Sequence, residues 1–492
     1  MKQIISVLII TAFFSPLGAS AVSESLAGQV ALERVERDGH GSTHTITGMT
    51  ELYSPGLDVT VAFVFELHPT GFVVTGANTD LPPVVCYSYD NGCPNDEQGE
   101  NPLLEMVLTD MEIRLAHLDQ TPGQIILLNN AMWDDYSSGM FAVLSPALLE
   151  QWPPEGSTPT GGWLMENWHQ NAPYNQYCPM DLIAGARSVA GCPAVAMAAI
   201  VNLREETNGT RFYDTDDYYH NYHEYYWIDD DFEAHDFPSW PVLNGYIETI
   251  ENLYSTQQPL TQQDKAALVY ASGAACRQVY TASVSGTFGV DQAYDAYIRF
   301  GFEECELLDG SSDSLYERLS QNMIDSLPAH LAIVDSGPTY GHNVVVDGYN
   351  TDDFYHINFG WNGPYNGWYQ FPLTGMPYGM NIIEGIIIDI GADPLSTEGG
   401  TIPDGLPSVA LSTCANPAAG PLFFDLTTSS ELIVTVSAYS ISGRLLGTIA
   451  SGGFSAGTHR LAWNTDGVPT GMCFIVASGP WGTESIRVTV LR

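Results

Sequence analysis

The chain has 492 residues, too long for a single hydrophobic core, and its length suggests roughly three domains. Hydrophobic residues make up 45% of it, enough to bury sizeable cores and to exclude a chain disordered throughout. Lys and Arg number 15 against 58 Asp and Glu, a formal charge of −43, which argues against nucleic acid and anionic membrane as partners, because phosphate binding needs basic patches.

The first predicted segment is a targeting signal over residues 1–21. Lys2 supplies a minimal positive start, the run IISVLIITAFF is apolar, and Ala19-Ser20-Ala21 is a small-x-small cleavage site. The apolar run is short for a membrane span, and no later stretch reaches about 18 apolar residues. We therefore expect export and no membrane span in the mature chain.

Export makes disulfides permissible. Cysteines 86, 93, 178, 192, 276, 305, 414 and 473 cluster by segment. That clustering suggests the pairs Cys86–Cys93, Cys276–Cys305 and Cys414–Cys473, although spacing does not fix connectivity. No CxxC pair occurs, which argues against a zinc ribbon or a thioredoxin-type site.

Residues 22–154 read as a first block. VTVAFVFEL and GFVVTGA alternate as strands do, and residues 101–118 carry helical spacing. The turn-rich run PPEGSTPTGG at 153–162 closes it. The second block, 155–395, opens on WHQNAPYNQYCP. A Gly-Cys-Pro step then leads into AVAMAAIVNLREE, an Ala-rich run suited to a buried helix, with Pro193 in its first turn. NVVVDG, the turn YNTDD and FYHINFGW follow as a predicted hairpin. A Gly, Pro, Ser and Thr-rich linker covers 396–408. The last block, 409–492, is all β in pattern, which suits a small immunoglobulin-like sandwich.

The chemistry-bearing residues lie in the second block. A thiol attacks a carbonyl as thiolate, and a helix N-terminus and a nearby imidazolium both favour that form. Cys192 stands where the Ala-rich helix would begin. His342 lies 150 residues downstream, within the usual separation of a Cys–His pair in one fold. If strands 342–347 and 354–359 pair about the turn, residue 342 faces 358 or 359, so Asn358 would orient the imidazole. Gln170 is a candidate second donor to an oxyanion. Taken singly, a buried inert cysteine and a structural histidine are the commoner readings of such residues.

Four motifs make the reading specific: WHQNAPYNQYCP, AGCPAVAMAAI, GHNVVVDGY and FYHINFGWNG. In order and spacing, over roughly 163–372, they resemble the streptopain family of cysteine peptidases. LVYASGAACRQVYTASVSGTF at 268–288 is similar to that family's helix and serine-glycine loop. The resemblance implies a papain-like α+β peptidase domain acting through a Cys–His dyad on protein or peptide substrates. By residue, it implies Cys192 as nucleophile, His342 as base, Gln170 as oxyanion donor, Asn358 as orienter and Trp361 as an aromatic shield. No cofactor and no metal is implied. Two departures stand out: Pro193 where the family commonly has Val, and Phe359 where it commonly has Trp.

By the same likeness, residues 22–154, with GFVVTGANTDLPPVVCYSYDNG as the recognisable stretch, resemble an α+β propeptide that inhibits its own enzyme; a permanent accessory domain is the alternative. Propeptide cleavage is expected within 150–165. The last block resembles C-terminal sandwiches of the hook-capping and type IX secretion sorting kind, implying contact with bacterial secretion machinery or attachment to a cell surface. The expectation is a secreted cysteine endopeptidase made as a zymogen. Its rivals are an adhesin or binding protein on a degenerate peptidase scaffold, and another thiol acyl transferase. The stretch 213–236, with His220, His223, His235 and many carboxylates, reads as a solvated acidic surface in preference to a calcium or zinc site.

Overall fold

The alternating runs of the first block form an antiparallel meander, preceded and followed by helices. The computed structural model describes residues 21–95, 101–138, 150–310, 312, 314–334, 341–371 and 382–392. In the last block it describes 409–413, 421–430, 432–440, 445–465, 468, 471–479 and 482–490. Residues 1–20 of the expected signal and all of the expected linker lie outside these.

Helix α1 (Glu24–Arg37) starts at Ser23, whose hydroxyl accepts from the Leu26 amide, and carries Glu24 in its first turn and Arg34 and Arg37 in its last, in the sense the helix dipole favours. Strands β1 (Thr45–Ser54), β2 (Val59–His68), β3 (Phe72–Gly76) and β4 (Val84–Ser88) pair in sequence order. Helix α2 (Pro102–Ala116), capped by Asn101, lies within the expected helical stretch, and α3 (Gly123–Ser138) follows. Every residue of β3 and β4 is buried because helices cover both faces. Phe72, Val74 and Cys86 pack towards Leu103, Val107 and Met111 of α2. Their neighbours Val73 and Tyr87 pack towards Ala27, Val30 and Trp133 of α1 and α3. The two-residue period of the strand thus feeds two cores.

A short strand, β5 (Gln151–Trp152), leads into the second block. There, β6 (Met180–Asp181) and β7 (Ala186–Arg187) form a small hairpin. Helix α4 (Cys192–Arg204) is buried from Pro193 through Val201, as its Ala-rich composition requires. Strands β8 (Tyr218–Tyr222) and β9 (Glu224–Ile228) pair across the acidic stretch. Helices α5 (Phe232–His235), α6 (Trp240–Ser255), α7 (Gln262–Ala275) and α8 (Val290–Arg299) follow, and α4, α6, α7 and α8 share one core.

The block's sheet comprises β10 (Glu306–Asp309), β11 (Ala329–Val334), β12 (Gly341–Asn350), β13 (Phe354–Asn358), β14 (Gly367–Gln370) and β15 (Ile382–Ile388), with α9 (Leu315–Ile324) beside it. Its edge strand β14 pairs with β4, Trp368 opposite Tyr87 and Tyr369 opposite Cys86. The two blocks therefore share one antiparallel sheet, ordered β1-β2-β3-β4-β14-β13-β12-β11-β15-β10, with β5 added on β12.

The last block holds β16 (Val409–Thr413), β17 (Leu422–Thr428), β18 (Leu432–Ser440), β19 (Leu445–Phe454), β20 (Gly457–Trp463), β21 (Gly471–Gly479) and β22 (Gly482–Val490). They form a sheet β16-β17-β20 and a sheet β19-β18-β21-β22, with Leu422, Phe424, Val434, Val436 and Ile475 in one core.

The suggested disulfides are corrected. Cys86, Cys93, Cys178, Cys276, Cys305 and Cys473 are free thiols; Cys414 lies outside the described residues. Cys86, Cys276 and Cys305 are packed into hydrophobic cores, and the Cys93 thiol faces Asn101 Oδ1 at 3.7 Å. Among the described residues no helix is long and apolar enough to cross a membrane.

Candidate active site

Cys192 occupies the first position of α4, in the turn where backbone N–H groups lack helical partners. The approach to it is built around Gly191, whose φ of 86° a side chain rarely adopts. A Cβ there would stand 2.7 Å from Gln278 Oε1 and 3.0 Å from the Ser285 carbonyl. Gln278 Nε2 donates to the Ala190 carbonyl at 2.6 Å, so the turn before Cys192 rests on a buried amide. On the other side, Ala190 N donates to the Gln170 carbonyl at 2.8 Å. That bond holds the Gln170 segment beside the start of α4. The Gln170 side-chain amide makes no hydrogen bond among the described residues.

His342 lies near the start of β12, and the residues before it, 335–340, are outside the described set. One ring nitrogen, Nε2, lies 3.1 Å from the Phe359 carbonyl oxygen. A carbonyl accepts only, so Nε2 carries the proton and Nδ1 is left as the basic nitrogen. Trp361 stacks on the imidazole at 4.6 Å between centroids, and Phe359 stacks on Trp361 at 5.2 Å. Cys192, Asn343, Asn358, Phe359 and Trp168 line one small cavity, which brings the helix start and the hairpin together.

The expected pairing of residue 342 with 358 or 359 is corrected. Asn358 stands opposite Val345, and His342 itself pairs with Ile333 on β11. The strands run further into the turn than expected, to Tyr349 opposite Tyr355, and a bulge between Val346 and Gly348 inserts one residue. Asn358 consequently does not reach the imidazole. Its Nδ2 donates to Asn167 Oδ1 at 3.1 Å, and its Oδ1 accepts from Gly360 N at 3.0 Å. Asn366 Nδ2 donates to the same Asn167 oxygen at 2.9 Å, and Asn366 Oδ1 accepts from Phe359 N at 3.0 Å. Three asparagines thus clasp the Phe359–Gly360 backbone whose carbonyl holds His342. Asn167, Asn366, Asn343 and Gln278 were not singled out from sequence. The available signal was their position within or beside the quoted motifs.

Burial dominates the electrostatics. It pushes the Cys192 thiol up, against the Asn343 backbone and side-chain amides, which pull it down. Burial lowers His342 to about 4, against the Phe359 carbonyl. In this state the pair is thiol and neutral imidazole, and among the described residues no hydrogen bond joins them. Asn343 Nδ2 lies 3.9 Å from Cys192 Sγ. The acidic stretch is structured as a hairpin in which His220 Nδ1 faces the Glu224 carbonyl at 3.0 Å and Nε2 accepts from Tyr280 N at 2.7 Å.

A thiol at a helix start, an imidazole with one nitrogen unbonded among the described residues and an aromatic wall form a set suited to acyl transfer. Residues 168–369 match the sequence model described as the peptidase C10 family. No curated protein matches the chain. Among solved structures it is similar to a fragment of prointerpain A from Prevotella intermedia carrying a Cys-to-Ala mutation. That similarity is 18% identity over 69% of this chain and 97% of the other, with a TM-score of 0.45. It is also similar to active wild-type interpain A cysteine protease from the same organism, at 22% identity over 46% of this chain and 93% of the other, with a TM-score of 0.34. By its sequence model, the stretch 168–369 of the chain matches the peptidase C10 family, the streptopain family of cysteine peptidases.

Proposed function

We propose that this cysteine peptidase is a secreted endopeptidase made as a zymogen, with Cys192 as nucleophile and His342 as base. The observation that carries the reading is the convergence of the α4 start with the β12–β13 hairpin. It brings Cys192 within reach of the Asn343 amide, next in sequence to His342, inside a peptidase C10 domain. His342 Nδ1 takes the thiol proton, and the sulfur attacks a peptide carbonyl. The Cys192 backbone N–H and Gln170 hold the oxyanion. The protonated imidazole gives its proton to the leaving amine, and a water activated by His342 then hydrolyses the thioester. Asn358 positions His342 through the Phe359–Gly360 backbone, and Trp361 excludes water from one ring face. The chemistry calls on no cofactor.

Residues 22–154 act in this reading as the inhibitory propeptide. Its support is where that block touches the second. Tyr365 N donates to the Gly92 carbonyl at 3.1 Å, and Tyr365 OH donates to the Pro94 carbonyl at 2.8 Å. Tyr365 packs edge-on to Trp361 at 5.5 Å, so the first block grips the loop that cradles the base. Release requires a cut. Residues 154–157 and 159 are exposed, whereas Thr160, Gly162 and Leu164 are buried and Leu164 N donates to Asp347 Oδ2 at 3.1 Å. Cleavage within 154–159 would leave that anchored segment on the enzyme. The last block serves as a sorting or attachment module.

The test is proteolysis by the purified precursor with and without reductant, beside Cys192→Ala. The expected result is a reductant-dependent loss of the first block and digestion of casein by the wild type alone. Equal behaviour of the two proteins, after the first block has been removed by an added protease, overturns the reading in favour of a binding protein.

A further inference from the structure

A chain of polar groups, two of them fully buried, ends on Cys192. Asn343 Nδ2 lies 3.9 Å from Cys192 Sγ. Its Oδ1 lies 2.7 Å from His330 Nε2, and His330 Nδ1 lies 3.1 Å from Tyr297 OH. His330 and Tyr297 are 0% exposed, one on β11 and the other on α8.

The direction of each bond follows from what the groups are. An amide oxygen only accepts, so His330 Nε2 carries hydrogen. A neutral imidazole then has a bare Nδ1, which accepts from Tyr297 OH. Burial lowers His330 to about 4, which keeps it neutral in this role. With its oxygen on His330, the Asn343 amide turns its N–H groups towards the sulfur. A reversed amide would set Oδ1 against the sulfur and two N–H donors against His330.

We propose that Asn343 is a further catalytic residue, donating to the Cys192 thiolate, with His330 and Tyr297 as positioning residues that hold its amide. The inference rests on Cys192 being the nucleophile. When the thiol proton passes to His342 Nδ1, the lone pair left on sulfur gains a donor that does not depend on His342. Asn343 therefore lets the thiolate form in a buried site. As the S–C bond forms, the charge leaves sulfur for the substrate oxygen, and the Asn343 bond weakens. Its effect is on how much thiolate exists, not on holding the oxyanion.

This gives an effect of two signs. Losing one bond to a charged sulfur should raise the thiol pKa by about one unit. Each unit cuts the thiolate fraction about tenfold at pH below the pKa, while intrinsic nucleophilicity rises about threefold. The experiment follows iodoacetamide alkylation of Cys192 in the full chain against pH, read on the Cys192 peptide by mass so that the other thiols do not contribute. For Asn343→Ala the expected rate is about threefold lower at neutral pH and about threefold higher on the alkaline plateau. Asn343→Asp, which sets a carboxylate against the sulfur, should raise the pKa further than Ala does. Tyr297→Phe should shift it the same way by less.

If Asn343→Ala and Asn343→Asp both titrate with the wild type, the inference is overturned. Should neither fold, Tyr297→Phe carries the test alone, and a profile equal to wild type overturns the relay. Casein digestion by Cys192→Ala separates the two readings. A Cys192→Ala protein as active as wild type sinks the nucleophile assignment itself, whereas an inert one with unshifted Asn343 variants sinks the relay only.

Discussion

Asn167 and Asn358 share a hydrogen bond of 3.1 Å between side chains 191 residues apart in sequence. Asn167 lies three residues before Gln170, and Asn358 ends the strand before the loop that holds His342. One bond therefore ties the Gln170 segment to the loop that holds His342.

Removing either partner should damage turnover more than binding. Asn358→Ala frees the Gly360 amide and leaves Phe359 held by Asn366 alone, so the carbonyl that accepts from His342 loses its fixed place. The loss of one such bond in a buried site is worth about 1–3 kcal/mol. We expect kcat for a peptide substrate to fall roughly 5- to 100-fold with KM little changed. Asn167→Ala should cost a similar amount. Because both act on one network, the double variant should cost less than the sum, by about 0.5–3 kcal/mol in a double-mutant cycle. A strictly additive double variant would show that the two side chains act independently.

The helix that carries Cys192 was legible in the sequence because composition alone decides it. An Ala-rich run after Gly-Cys-Pro has little choice but a buried helix, and Cys192 falls at its start. The four strands of the first block announced themselves less evenly: β2 alternates at its C-terminal end, whereas β3 and β4 are buried on both faces and lack the period. The hairpin of β12 and β13 was visible, but its register was not. A bulge after Val346 moves Asn358 along the partner strand, and bulges leave no mark in a hydrophobic pattern. The asparagine clasp and the Asn343 relay were hidden for another reason. Their side-chain partners lie 13 to 199 residues apart in sequence, and polar side chains carry no periodic signal.

Gly191→Ala should be a severe substitution although it adds one methyl group. The residue sits at φ 86°, and its new Cβ would meet Gln278 Oε1 at 2.7 Å and the Ser285 carbonyl at 3.0 Å. A backbone at φ 86° and ψ 136° is nearly confined to glycine and costs any other residue about 1–3 kcal/mol. Relief of the contacts would push Gln278 off the Ala190 carbonyl. We expect a lower melting temperature together with loss of activity, and a Gln278→Ala second change that restores part of the stability by opening the space. An unaltered melting temperature for Gly191→Ala would contradict the close approach.

Acid should destabilise the folded chain in a window set by its buried histidines. His330 is held neutral, at about 4 against an ordinary value near 6.5. Between those values the unfolded chain binds a proton that the folded chain does not, so stability rises with pH. The contribution is fully present above about 6.5 and is lost as pH falls through about 4. The shift corresponds to roughly 3 kcal/mol at most. Denaturant unfolding at a series of pH values should show the wild type losing more stability between pH 7 and 4 than His330→Gln does. Equal slopes for the two proteins would mean that His330 titrates normally in the fold.

The attachment of the first block should depend on one charge pair at the far end of the hairpin. Arg34 is fully buried, is bound to Asp38 on its own helix, and reaches Tyr87 and Tyr136 hydroxyls at 3.2 Å each. It also donates to Asp352, in the β12–β13 turn, at 2.7 Å. Asn350 Nδ2 donates to Tyr87 OH at 2.9 Å beside it. The two ends of this contact are not equivalent. Asp352 is 37% exposed, so Asp352→Asn removes a partly solvated charge and should cost only about 1 kcal/mol, roughly fivefold in affinity. Arg34→Met leaves Asp38 buried beside no cation, a loss of about 3–5 kcal/mol that falls on the first block itself. After a cut within 154–159, we expect the Asp352→Asn enzyme to release its first block at several-fold higher concentration than wild type, measured by inhibition of peptide hydrolysis on dilution. The Arg34→Met precursor should instead melt earlier and be cut faster by an added protease. Inhibition by the first block at wild-type strength in Asp352→Asn would assign its grip to the β4–β14 pairing and the Tyr365 and Asn350 bonds instead.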